Sequence, residues 1–343
     1  MGRTRPLATG SATSSGDPDE RPIVTRRSWA IETTWGALAI ESANAHDGGL
    51  SCPEFPPEPP GVALSSIVAS PLRPFTAIEH VSNVLFVVIH LSSLLVFVTP
   101  LSWGVAAIAL GGYGLRMWAV TAGYHRYFAH RTYKTSRAFQ LVLAVLGATA
   151  MQNGPIWWAS VHRRHHKHAD GPDDPHSPGK HGFWYSHVGW VFDRTVQRPR
   201  DDSNVRDLTR YPELVWVDRH DWLPLATYAV VCFAVGGVPG LVWGFVVSTL
   251  GVFHATMLIN SLAHVCGSRR YATADRSRNN AFLAMVTLGE GWHNNHHHFM
   301  SSARQGFFWW ELDMTYYVLR WLARIRVIWA VREPPATVVA AVQ

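Results

Sequence analysis

The stretch VHRRHHKH at residues 161–168 sets His162, His165 and His166 within one turn of a helix. Residues three and four apart project from one helical face, so these imidazoles are expected to converge on one point beside the backbone. Neutral imidazole is a common ligand for iron, zinc, copper and nickel, and such a point suits a metal. The same spelling returns at His293, His296 and His297 in GEGWHNNHHHF, and a looser pair, His125 and His130, stands in GYHRYFAHRT. Eight such groups are too many for one tetrahedral ion, and two metals are the simpler reading. Histidines without this spacing, such as His46, His80, His90, His220 and His254, read as surface or hydrogen-bonded core groups.

Outward from the boxes, apolar runs at 78–98 and 104–122 flank the link TPLSW, and runs at 222–238 and 242–262 flank GGVPG. Each is long enough to cross a bilayer. Neither link carries Lys or Arg, whereas residues 1–75, 125–221 and the region from 267 are rich in them. The positive-inside rule then puts those three segments, and every histidine box, on the cytoplasmic side. The expected fold is an all-α integral membrane protein, with four transmembrane helices in two hairpins and a cytosolic helical cap carrying the boxes. A fifth crossing at 139–158 would part His125 from His162, so an interfacial or buried helix returning to the same side is expected there. Arg116, inside the second run, either faces a polar cavity or snorkels to the interface.

Residues 1–75, rich in Pro, Ser, Gly and charge, read as a disordered tail, 76–332 as the membrane domain and 333–343 as a short tail. DGPDDPHSPGKHGF at 170–183 is turn chemistry, with His176 and His181 as loop residues, and 313–329 reads as a basic amphipathic surface helix. The formal charge is +6. Its basic residues border apolar runs and form no groove-reading motif, so the membrane surface is the acidic partner and nucleic acid is not. Cys52, Cys232 and Cys266 show no CxxC spacing, and metal binding rests on nitrogen.

An imidazole set differs from the carboxylate-rich sets of soluble di-iron bundles. Iron adds dioxygen chemistry to such a set, whereas zinc would give hydrolysis. At a membrane surface, that suggests oxidation of an apolar molecule such as an acyl chain, which has no activated bond.

HRYFAH, HRRHH and HNNHH, in this order and flanked by TAGYHR, DPHSP, SHVGW and GEGWHNNHH, resemble the membrane-bound stearoyl-type acyl desaturases, which introduce a cis double bond at carbon nine. The likeness covers about 78–332. It implies two iron ions, dioxygen as co-substrate, and the ligands His125, His130, His162, His165, His166, His264, His293, His296 and His297. NSLAH supplies His264, and it also supplies Asn260, which the family uses to reach one metal through water. The family's acyl tunnel implies that Gln152, Trp158 and Thr256 bend the chain and that Tyr113 and Met117 end the tunnel. Met117 is bulkier than the small residue of animal members, implying a shorter preferred chain. Asn153 and Arg194 match head-group contacts, but Ser160 and Val161 replace the Arg and Asp that contact coenzyme A in animal members. Acyl-CoA and membrane lipid both stay open as substrates. No HPGG-type haem motif is present, which implies a separate ferredoxin-like or cytochrome b5-like donor with its reductase. The alternatives are a histidine-box hydroxylase or oxygenase of another lipid, and, in a different class, a non-enzymatic membrane metal-binding protein.

Overall fold

The structure, a computed structural model, describes residues 77–197 and 202–341; the tail read at 1–75 lies outside them. The first apolar run is helix α1 (Ala77–Ser92), continued by a tighter turn at Ser93–Phe97. Helix α2 begins as Trp103–Trp118, where Ser102 Oγ accepts the Val105 N–H at 3.3 Å and so satisfies one orphan donor of the first turn. It runs on through Ala119–Ala129 with its backbone loosened to a five-residue repeat, and the His130 N–H donates to His125 O at 3.1 Å. The whole helix has 27 residues. It overruns the expected end at 122, so His125 belongs to the helix and not to a loop beyond it.

The apolar run at 139–158 is two helices, α3 (Arg137–Ala148) and α4 (Pro155–His168). Between them Met151 and Asn153 take left-handed backbone, with φ of 58° and 61°, which ends a helix because non-glycine residues rarely propagate from there. Helix α4 has Gly154 at its start and no cap of its own. Asp218, on α5 (Pro212–Arg219), supplies one: its Oδ1 accepts the Ile156 N–H at 2.9 Å and the Trp157 N–H at 2.8 Å, a carboxylate at the positive end of a helix. A Cβ on Gly154 would lie 2.4 Å from the Asp218 Cα, so only glycine lets the two elements meet.

The next apolar stretch is a 43-residue helical run from Trp222 to His264, made of α6 (Trp222–Pro239), a loosened segment Gly240–Val247, α7 (Ser248–Asn260) and a closing turn. Straight, it would reach about 65 Å. It turns back instead at Gly237, where φ is 60° and ψ −150°, a conformation open to glycine. Tyr228 Oη consequently donates to Gly244 O at 2.9 Å. The turn falls in the GGVPG link. Beyond α7 come a short turn at Leu262–His264 and then α8 (Ala281–Val286), α9 (His293–His298) and α10 (Met314–Arg324). Helix α10 stops short of the expected 329, because Ile328–Trp329 forms a strand, β2, antiparallel to β1 (Lys134–Thr135). The last described residues include a short helix, Ala336–Val339.

The principal core joins Tyr124 and Phe128 of α2, Leu143 of α3, Ile156 of α4, Leu214 of α5 and Leu319 of α10. It clamps the histidine-bearing ends of α2 and α4 together. Two smaller buried clusters pack around Met117 and Phe253, and many other apolar residues point outward: Val84 is 59% exposed, Leu110 74% and Val235 70%. Such contiguous apolar faces mark contact with another apolar phase. Arg116 does not snorkel. It is buried and donates to Gly112 O (3.1 Å), Thr149 O (3.2 Å), Thr249 Oγ1 (2.6 Å) and the Ser248 hydroxyl, with its guanidinium 4.2 Å from the centre of the Tyr228 ring.

Candidate functional site

Nine histidines from four parts of the chain meet in two clusters. His125, His130, His162, His166 and His296 form one, and His165, His264, His293 and His297 the other. The three histidines of a box therefore do not converge on one point, as their spacing suggested. Each HxxHH sends its outer pair to one cluster and its middle histidine to the other. The reason is angular: position i+4 lies about 40° to one side of position i and i+3 about 60° to the other, so one turn can serve two sites. His125 and His130, five apart, would diverge on an ordinary helix. The loosened turn of α2 brings their ring centres to 4.8 Å, and such wide turns recur at functional sites.

Within the clusters the ring nitrogens face one another. His125 Nε2 and His296 Nε2 are 3.0 Å apart, His296 Nε2 and His166 Nε2 3.0 Å, His130 Nε2 and His162 Nε2 2.9 Å, and His264 Nε2 and His293 Nε2 3.0 Å. Behind them stand carboxylates: Asp174 Oδ1 lies 3.0 Å from His165 Nδ1, Asp170 Oδ2 3.0 Å from His264 Nδ1 and Asp275 Oδ2 2.9 Å from His297 Nδ1, while Glu290 touches His125 Nδ1. A carboxylate fixes the proton on Nδ1 and leaves the Nε2 lone pair pointing inward. Lone pairs facing each other at that distance repel unless a cation lies between them. His297 Nε2 is moreover buried without a hydrogen-bond partner. Two ligands at right angles, each about 2.1 Å from an ion, would be about 3.0 Å apart. The donor set fits metal ions.

Electrostatics agrees. Burial, then the neighbouring imidazoles, holds His130, His162, His166, His293 and His296 well below the ordinary imidazole range, and burial brings His297 down to about 4. These rings are neutral, as ligands must be. For His165 burial also pulls down, but Asp174 overrides it and holds the ring up. Burial opposes ionisation of Asp170, Asp174, Asp275 and Glu290 as well; the facing imidazoles outweigh it, bringing Glu290 to about 2 and the others well below the usual carboxylate range.

A narrow cavity touches both clusters, with His125 and His162 of one and His293 of the other in its wall. Trp158, Thr256 and Asn260 line it too, as do Met117, Val120 and Thr121 of α2. Gln152, behind that lining, ties Thr256 to Trp158, donating to Thr256 Oγ1 at 2.9 Å and accepting from Trp158 Nε1 at 3.1 Å. Tyr113 packs beside Met117 and donates to Val286 O at 2.6 Å, so it backs the wall without forming it. Asn153 and Arg194 stand outside the lining.

The fatty acid desaturase profile matches residues 84–329. The chain belongs to the fatty acid desaturase family. This desaturase is 38% identical over 265 residues to the chloroplastic palmitoyl-monogalactosyldiacylglycerol delta-7 desaturase of Arabidopsis thaliana, covering 76% of this chain and 71% of that one. An acyl-CoA 5-desaturase of Anemone leveillei is 39% identical over 236 residues (68% and 73%), and the delta-9 acyl-lipid desaturase 1 of Arabidopsis thaliana 37% over 235 (68% and 77%). The desaturase is an oxidoreductase by family, and its histidine clusters are able to hold metal ions.

Several residues that build the desaturase's site were not singled out from the sequence. Asp170 and Asp174 lie in the segment read as turn chemistry, and His176, read as a loop residue, is buried with its ring 4.5 Å from that of His165. The spelling between the histidines also has a cause. In HRRHH, Arg163 reaches back to Ala129 O at 2.9 Å and Asp207 Oδ1 at 2.7 Å, tying α4 to the end of α2. In HNNHH, Asn294 Oδ1 accepts the Arg270 and Tyr271 N–H groups at 2.8 Å, and Asn295 Nδ2 donates to Gln305 O and Glu311 Oε2 at 2.9 Å. Arg126, fully buried between Glu290 and Asp313, locks the first box to the third. A buried polar scaffold of this kind rigidifies only when fully paired.

Proposed function

We propose that this desaturase inserts a cis double bond, at carbon nine, into a saturated acyl chain carried by coenzyme A or a membrane lipid, consuming dioxygen and electrons from an external ferredoxin-like or cytochrome b5-like donor. The observation that carries the reading is the cavity: it is mostly apolar, it is walled by histidines of both clusters, and it reaches Trp158 and Thr256, which Gln152 ties together and which would bend the acyl chain there. The nine histidines would hold two iron ions, which supply the dioxygen chemistry needed to break unactivated C–H bonds. The protein's own part is placement. Trp158, Gln152 and Thr256 would present one pair of methylenes to the histidine wall, and Met117 would limit how far the methyl end runs; positioning of this kind is worth several powers of ten in rate. Asn260, beside His293 in the wall, would reach a metal through water. Asn153 and Arg194 would contact the head group.

The exposed apolar faces of α1, α2 and α6 support four crossings in two hairpins, and the Lys- and Arg-free links support placing the histidines on the cytoplasmic face. Relatives acting at positions 5, 7 and 9, on acyl-CoA or lipid, leave regiochemistry and carrier to experiment. Expression in a host lacking its own desaturase, with lipid analysis by mass spectrometry, should show a new double bond that is absent for His166→Ala. An alcohol product would replace this reading with a hydroxylase.

A further inference from the structure

A groove of about 400 Å³, apart from the histidine cavity, runs along α5. Thr209 and Arg210 line it from the turn before the helix, and Pro212, Trp216, Arg219 and His220 from the helix and its end. The latter four recur at three and four residues and so share one helical face. The opposite face holds α5 to the protein: Leu214 and Val217 are wholly buried, and Asp218 caps α4. The groove therefore lies on the outward side of α5.

Its chemistry is cationic. The lining carries two guanidinium groups, an imidazole and a hydroxyl, and no carboxylate. Nearby acids are engaged elsewhere, Glu213 with Arg137 and Asp207 with Arg131 and Arg163. Among the described residues no carboxylate pairs with Arg210 or Arg219, and both are exposed. Arg210 is steadied by an aromatic ring instead: its Nη2 donates to Tyr211 Oη at 2.9 Å, and its guanidinium lies 4.8 Å from the centre of that ring. His220 Nδ1 donates to Trp216 O at 2.8 Å, and its ring stacks on that of Trp216 with centres 4.7 Å apart. That fixes the imidazole and leaves Nε2 to a ligand. Guanidinium forks match phosphate oxygens in shape and charge.

Phosphate alone does not account for the groove, because Pro212 and the half-exposed Trp216 give it an apolar side. A ligand that fits has an anionic head joined to apolar chains. Position says where it comes from. His220 stands two residues before Trp222, the first residue of the 43-residue apolar run, and two residues span at most about 7 Å. Trp222 is 61% exposed, and tryptophan at the end of a crossing sits at the level of lipid headgroups.

We propose that Thr209, Arg210, Arg219 and His220 bind one anionic glycerophospholipid of the surrounding bilayer, with its phosphate on the two arginines and its acyl chains descending past Trp216 and Trp222 beside α6. The inference rests on the reading of α6 as a crossing and not on the double-bond chemistry.

The test counts lipids on the purified full chain. In a neutral detergent, the parent should retain one phosphatidylglycerol in native mass spectrometry at concentrations where phosphatidylcholine is lost. Arg210→Gln and Arg219→Gln should each weaken that retention about fivefold, and the double variant about 25-fold. Arg206→Gln, also exposed but outside the lining, should leave it unchanged. Equal retention of phosphatidylcholine would overturn the site. A loss at Arg206→Gln as large as at Arg219→Gln would do the same, since it marks diffuse surface charge. Displacement by glycerol 3-phosphate at the lipid's own concentration, which marks a soluble phosphate site, or by coenzyme A, which marks a contact for an acyl carrier, would also overturn it. The competitions use the parent alone and need no variant to fold. No turnover is measured, so a chain that makes no double bond leaves the lipid result standing.

Discussion

The nine-histidine clusters and a separate row of three, in which His90 meets His254 and His254 meets His187, are made of one side chain and share one stretch of helix, with His254 and His264 ten residues apart, yet they are built in opposite ways. In the clusters, Nε2 atoms face each other and carboxylates hold several Nδ1 protons from behind, so the lone pairs converge on a cation. In the row both nitrogens of each ring are engaged, no carboxylate stands among the four ring contacts, and the rings connect in series. What an imidazole does is set by what its second nitrogen touches.

Substitutions sharpen that contrast. The largest effect is expected for His296→Ala, because His296 meets both His125 and His166: metal analysis should show a lost ion, and no double bonds should form. A His296→Ala protein that retained full metal would break the assignment of the first cluster. Next comes Asp275→Asn. Its amide presents the wrong partner to His297 Nδ1, and loss of such a supporting group typically lowers metal affinity or activity about 10–100-fold; metal retention during chelator dialysis reads it. The smallest effect is expected at the outer end of the row. His90→Gln should leave metal content and turnover close to those of the parent, since His90 meets only Phe86 O and His254 and no histidine of either cluster. If His90→Gln lost metal as Asp275→Asn does, the row and the clusters would be one structure.

The two regions also differ in how far the sequence exposes them. HRRHH and HNNHH were legible because ligands on one helical turn must repeat at three and four residues, and the boxes lie where such helices form, at α4 and α9. The division of each box between two clusters was not, because it depends on how α2, α4 and α9 are mutually rotated by contacts such as Arg163 with Asp207 and Arg126 with Glu290. Asp170 and Asp174 were hidden inside a stretch whose Pro and Gly content reads equally well as a turn, which it also is. The row was illegible for a stronger reason: His90, His187 and His254 are separated by 97 and 67 residues, and no local spacing records a hydrogen bond between them. The apolar runs announced their helices, and GGVPG marked the turn at Gly237. The loosened end of α2 did not announce itself, since a five-residue repeat leaves no distinct pattern of side chains.

Metal stoichiometry bears most directly on the central claim. The purified full-length protein, loaded anaerobically with ferrous iron and freed of excess metal, should hold two irons per chain, and X-ray absorption should find them ligated mainly by imidazole nitrogen. A single iron per chain, or a shell dominated by carboxylate oxygen, would contradict the account.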